Sequence, residues 1–120
     1  MHRSSKKNCK KLGVLGGTFD PPHIGHLHIS KIGIRKLKLN KLLWIVTKKN
    51  PFKKKPLLTT KMRIKLSKEI TKNERKIFVE YLDEKVRSKN SYDLLKYIKN
   101  KNKSTNLYFL MGADSIIKFH

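Results

Sequence analysis

The sequence contains a single cysteine, Cys9, among its 120 residues. An intrachain disulfide is therefore excluded, and with it the small secreted scaffold that disulfides hold together. A lone thiol in a lysine-rich chain fits a reducing, cytoplasmic setting. Long apolar runs are also missing. Nothing approaches the roughly 20 apolar residues that a bilayer span needs, and the run Leu12–Leu15 is too short for the core of a signal peptide. Acidic residues are few: 8 Asp and Glu stand against 30 Lys and Arg, for a net charge of +22 and a pI near 10.3. Arginine itself is scarce, with 5 Arg to 25 Lys. Nucleic-acid recognition favours the bidentate fork of arginine and aromatic platforms beside the basic runs, and both are thin here. The lysines accompany 8 Asn and 11 Ile, the mixture that AT-rich coding produces. The charge thus reads as compositional drift that attracts anions in general, without a specific nucleic-acid partner.

What is present is an alternation of elements within about one domain's length. Residues 1–11 form a polar, basic tail, and residues 12–120 carry the domain. Leu12–Leu15, Leu42–Val46, Ile77–Tyr81 and Leu107–Met111 read as short buried strands. Between them lie a helix from Gly25 to about Leu39 and one from Thr59 or Thr60 to Ile70, with Met62, Leu66 and Ile70 on its apolar face. A third runs from a cap at Ser91 through Leu94, Leu95 and Ile98. Asp114 to Phe119 reads as the start of a further helix. Strands alternating with helices imply an α/β fold, a doubly wound parallel sheet. Ligands bind such sheets beyond the carboxyl ends of the strands, where Gly16–His26 and Gly112–Asp114 fall.

The first of these segments, GGTFDPPHIGHL (Gly16–Leu27), carries the chemistry. Gly16 and Gly17 permit positive φ and let a ligand approach the backbone closely. Thr18 offers a hydroxyl and an N–H. Pro21 and Pro22 stiffen the exit. His23 and His26, three apart, share one face of a first helical turn, where free N–H groups and the helix dipole favour phosphate. Gly25 between them leaves room for a flat group. A zinc site would need three or four ligands at suitable spacing, and the surrounding sequence offers no Cys or Glu for it, so no metal centre is expected.

His23-Ile24-Gly25-His26 resembles the (T/H)xGH signature of the nucleotidyltransferase superfamily. The longer string is most similar to the bacterial nicotinate-nucleotide adenylyltransferases, which join ATP to nicotinate mononucleotide in NAD synthesis. Trp44–Lys53 resembles that family's second strand and following loop. Asn90–Leu95 is similar to its "YTxDTL" helix start, with Ser91 in place of Thr, and Leu110–Ser115 to its "IGADS" segment. The resemblance implies a Rossmann-like fold in which Gly16, Gly17, Thr18 and Phe19 hold ATP through backbone and hydroxyl groups. His23 and His26 are then the catalytic pair at the phosphates, with Gly25 between them. Gly112 and Asp114 face nucleotide, Lys53 or Lys54 meets phosphate, and Ser91 approaches the nicotinate ring. It further implies that a protonated His26 neutralises charge in the reaction, and that Mg²⁺ is carried in with ATP.

Members of that family are longer and hold an "SSTxIR" motif that has no counterpart here, so the chain reads as an N-terminal portion. Missing sheet strands would leave an apolar edge, which implies homo-oligomerisation or poor solubility of this portion alone. Other readings are transfer to phosphopantetheine, nicotinamide mononucleotide or a polyol phosphate, a basic RNA-binding fragment, and a remnant that binds ATP without turning it over.

Overall fold

The computed structural model describes residues 10–17, 19–46, 57–81, 91–110 and 116–119. In chain order the elements are β1 (Lys11–Gly17), α1 (Ile24–Leu37), β2 (Lys41–Val46), α2 (Thr60–Ile70), β3 (Ile77–Tyr81), α3 (Ser91–Lys101), β4 (Asn106–Leu110) and β5 (Ile116–Phe119). They form one sheet of order β3-β2-β1-β4-β5. The first four strands are parallel, with Leu15 beside Trp44 on one side and Leu110 on the other.

The two faces follow from the period-2 alternation of a strand. Leu12, Val14, Leu43, Ile45 and Leu107 point to one face, where Leu95 and Ile98 of α3 cover them. Leu15, Leu42, Trp44, Val46, Ile77 and Leu110 point to the other, against Leu27 and Ile34 of α1 and Ile64 and Ile70 of α2. Helices on both faces explain why β1 and β2 read as continuous apolar runs. Strand order reverses beside β1. The chain leaves β1 toward β2 and returns by β4, which puts the topological switch point at the carboxyl end of β1, the usual ligand position in such sheets.

Four expectations from the sequence need correction. Residues 116–119 are not helical; they are β5, antiparallel to β4. The segment Ile-Ile-Lys-Phe has strong β propensity and finds an open ladder on β4. The buried stripe of α2 is not Met62–Leu66–Ile70. Met62 is 40% exposed, and Arg63 and Ser67 are buried in its place. The guanidinium satisfies itself inside, Nε donating to Leu58 O and Nη2 to Thr60 Oγ1, which apolar periodicity cannot foresee. Lys11 already belongs to β1 rather than to the tail. Gly16 and Gly17 complete β1 as extended residues, and no described glycine has positive φ.

Candidate active site

The chain turns away from β1 at Phe19, which takes the left-handed conformation (φ 53°) instead of a glycine. For a bulky residue that conformation costs on the order of 1 kcal/mol or more and persists because the ring is locked in place. Phe19 is almost fully buried. It stacks on Trp44 of β2 at 4.9 Å between ring centroids and lies 4.6 Å from the His26 ring. Its side chain is therefore part of the core, and only its backbone can meet a ligand. The next residue, Asp20, accepts hydrogen bonds from Leu57 N (2.6 Å) and Leu58 N (2.8 Å). This ties the loop to the approach of α2, and nothing in the sequence signalled that role.

α1 then starts with a reciprocal cap built from the two histidines. His23 is the N-cap and has extended backbone, so it stands before the helix and not on its first turn. Its Nδ1 accepts from Gly25 N at 3.0 Å, while its own N–H donates to His26 Nδ1 at 3.1 Å. This is the capping-box exchange with imidazoles in place of hydroxyl and carboxylate. Gly25 is the residue that permits it. A Cβ there would lie 2.8 Å from His23 Cε1, so the flat group accommodated at Gly25 is the His23 ring itself. The two rings end 4.0 Å apart, centroid to centroid.

Both Nδ1 atoms thus serve as acceptors. A neutral imidazole whose Nδ1 accepts carries its proton on Nε2, so both rings present an Nε2–H donor. Burial, and then the neighbouring His23, lower the pKa of His26 to about 4. This corrects the expectation of a cationic His26: near neutral pH the ring is an uncharged hydrogen-bond donor. Beside it, Gly16 and Gly17 end β1 without side chains. Added Cβ atoms there would come into ordinary contact with the Phe109 ring at 3.6 Å and the Phe19 ring at 3.8 Å.

The structure brings Gly16, Gly17, Phe19, His23, Gly25 and His26 together at the carboxyl end of β1. Ser91 begins α3. Thr18, Lys53, Lys54, Gly112 and Asp114 lie outside the described residues, as does the Ser91 side chain. Behind His26, Ser30 and Trp44 form a buried polar link that the sequence did not reveal: Trp44 Nε1 donates to Ser30 Oγ, and Ser30 Oγ donates to His26 O, each at 2.7 Å.

Among known families, the one described as cytidylyltransferase-like matches residues 14–120. A Pelagibacter ubique protein named "Probable nicotinate-nucleotide adenylyltransferase" is 47% identical over 110 residues, covering 92% of this chain and 61% of its own length. A Brucella suis protein of the same name is 38% identical over 110 residues, covering 91% of this chain and 56% of its own length. The chain thus spans about three fifths of the curated relatives it matches. Among solved structures, one from Vibrio parahaemolyticus superposes with a TM-score of 0.72 at 21% identity, covering 88% of this chain and 62% of the other. The Plasmodium falciparum nicotinic acid mononucleotide adenylyltransferase complexed with NaAD gives 0.69 at 24% identity, covering 83% of this chain and 50% of the other. At these identities the structures speak for the fold.

Proposed function

Because this chain belongs to the cytidylyltransferase-like family, we propose that it is the nucleotide-binding part of an enzyme that transfers the adenylyl group of ATP to nicotinate mononucleotide. The products are deamido-NAD and pyrophosphate. One observation carries the reading: paired imidazoles, each with Nδ1 engaged, offer Nε2–H donors at a helix N-terminus beside the glycine end of β1. That arrangement suits a polyphosphate. The positive end of the helix dipole favours anions, and the two Nε2–H groups add donors that the cap does not consume. The names of the relatives supply the choice of nicotinate mononucleotide as acceptor.

The chemistry asks little of the protein beyond placement. The acceptor's phosphate oxygen is already anionic. It attacks the α-phosphorus in line, a P–O bond to pyrophosphate breaks, and no base has to remove a proton. Catalysis is positioning plus stabilisation of charge that moves onto the leaving phosphates. His23 and His26 supply fixed Nε2–H donors to that charge, pre-aimed by the cap and free of reorganisation during the step. Mg²⁺ enters with ATP as part of the substrate, carried mainly on phosphate oxygens. Thr18 and Lys53 are assigned to phosphate, Gly112 and Asp114 to nucleotide, and Ser91 to the nicotinate ring. A reducing, cytoplasmic compartment, where both substrates are charged and soluble, fits this assignment.

Calorimetry of the chain with ATP and with nicotinate mononucleotide tests the reading, and ATP binding weakened at least tenfold by His26→Ala is the expected result. In pyrophosphate release assays, nicotinate mononucleotide should outrank nicotinamide mononucleotide, phosphopantetheine and polyol phosphates as acceptor. His26→Ala should lower kcat by about 10²–10³-fold, the range for losing one transition-state donor, with the fold intact. An absence of ATP binding, or near-normal turnover in the variant, would overturn the assignment.

A further inference from the structure

We propose that Trp44 and Ser30 are positioning residues that fix the orientation of the His26 imidazole from behind. The inference rests on the proposed role of His26 and extends it to two residues remote in sequence. Trp44 reaches His26 by two routes. Its indole face stacks on Phe19 at 4.9 Å and 16°, Phe19 lies 4.6 Å from the His26 ring, and the indole edge itself is 5.8 Å from that ring. Its Nε1–H donates to Ser30 Oγ, whose own O–H donates to the carbonyl oxygen of His26. Trp44 and Ser30 are both fully buried, so water cannot substitute for either bond.

Packing alone does not account for this link. A phenylalanine at 44 and an alanine at 30 would fill the core without burying any polar atom that needs a partner. The pair instead spends two buried polar groups on the carbonyl of the residue whose ring lines the site. A helical serine hydroxyl can bond back to the i−4 carbonyl or turn away from it. The indole donor fixes that rotamer, because the hydroxyl must accept from Trp44 and donate to His26 at once. The first turn of α1 is thereby tied to β2, the strand next to β1 in the sheet. The His23 N–H to His26 Nδ1 bond that selects the Nε2–H form is held in register with it.

The test uses the whole chain labelled with ¹⁵N and reads the histidine rings by long-range ¹H–¹⁵N correlation, with His26→Ala assigning the His26 signals. The wild type should show the Nε2–H tautomer for His26 and a midpoint near pH 4. Trp44→Phe, Ser30→Ala and the double variant should each shift His26 toward a mixture of tautomers. The midpoint should move up by one pH unit or more, with amide signals still dispersed as in a folded chain. The double variant matters most, since it leaves no unpaired buried donor. Folded variants with an unchanged His26 signature would overturn the proposal. If Trp44→Phe fails to fold, Ser30→Ala decides alone by the same readout. Failure of the wild type to bind ATP would sink the nucleotide reading yet leave this ring signature to stand or fall on its own.

Discussion

At the scale of single residues, the atoms that start α1 are the atoms that line the site. His23 and His26 each engage Nδ1 with the backbone and leave Nε2 outside the cap. The pKa of His26, lowered from 6.5 to about 4, has a consequence for the whole fold. Between those values the unfolded chain binds a proton that the native ring refuses. Unfolding free energy therefore falls as pH drops from about 6.5 toward 4 and is flat, as far as this group goes, above 6.5. Urea midpoints measured from pH 7.5 to 4.5 should fall over that window in the wild type and fall less in His26→Ala. An equal slope in both would contradict the assignment. The motif residues themselves were legible in the sequence, since strand, glycines, prolines and spaced histidines are local signals. The charge state of His26 was not, because it depends on burial of the ring in the fold and on the His23 ring packed beside it. Asp20 holding Leu57 and Leu58 was equally hidden, because no local pattern announces a bond across that much chain.

Elements were read best where one physical signal dominated. Ile77–Tyr81 was placed to the residue, and β1, β2 and β4 to within a residue or two, because short β-branched and aromatic runs bounded by polar residues have few alternatives. β5 was misread because four residues cannot display a period, so only its pairing with β4 decides its form. The stripe of α2 was misread because Arg63 is buried with its partners. Two glycines escaped functional reading altogether. Gly33 sits in the middle of α1 where a Cβ would come within 2.5 Å of Leu110 Cδ2, and Gly13 where one would meet Leu39 and Leu42 at 2.6 and 2.7 Å. Gly33→Ala should gain about 1 kcal/mol of helix propensity and lose about 1–3 kcal/mol to overpacking. Leu110 is buried in the core and cannot move aside cheaply, so the net expected effect is a loss of stability. Thermal unfolding followed by circular dichroism checks the sign, and a higher midpoint would show that α1 can ride away from β4.

For the molecule as a whole, a charge of +22 sets a field that any nucleotide feels before it reaches the site. Exposed lysines act over about a Debye length, roughly 10 Å at 0.1 M salt, and speed the arrival of anions without selecting among them. Raising salt from 50 to 500 mM should therefore weaken ATP binding several-fold and weaken heparin binding more steeply. His26→Ala should alter the first and leave the second unchanged. Equal sensitivity of both ligands to His26→Ala would mean that the surface, and not the cap, does the binding. The same chain carries one tryptophan, and it is Trp44, sealed in the core with its ring stacked on Phe19 and its edge 5.8 Å from His26. All of the indole fluorescence thus comes from directly behind the site. Ligand binding at that strand end, protonation of the His26 imidazole and unfolding of the sheet should each alter the colour or brightness of that one lamp, with no label attached.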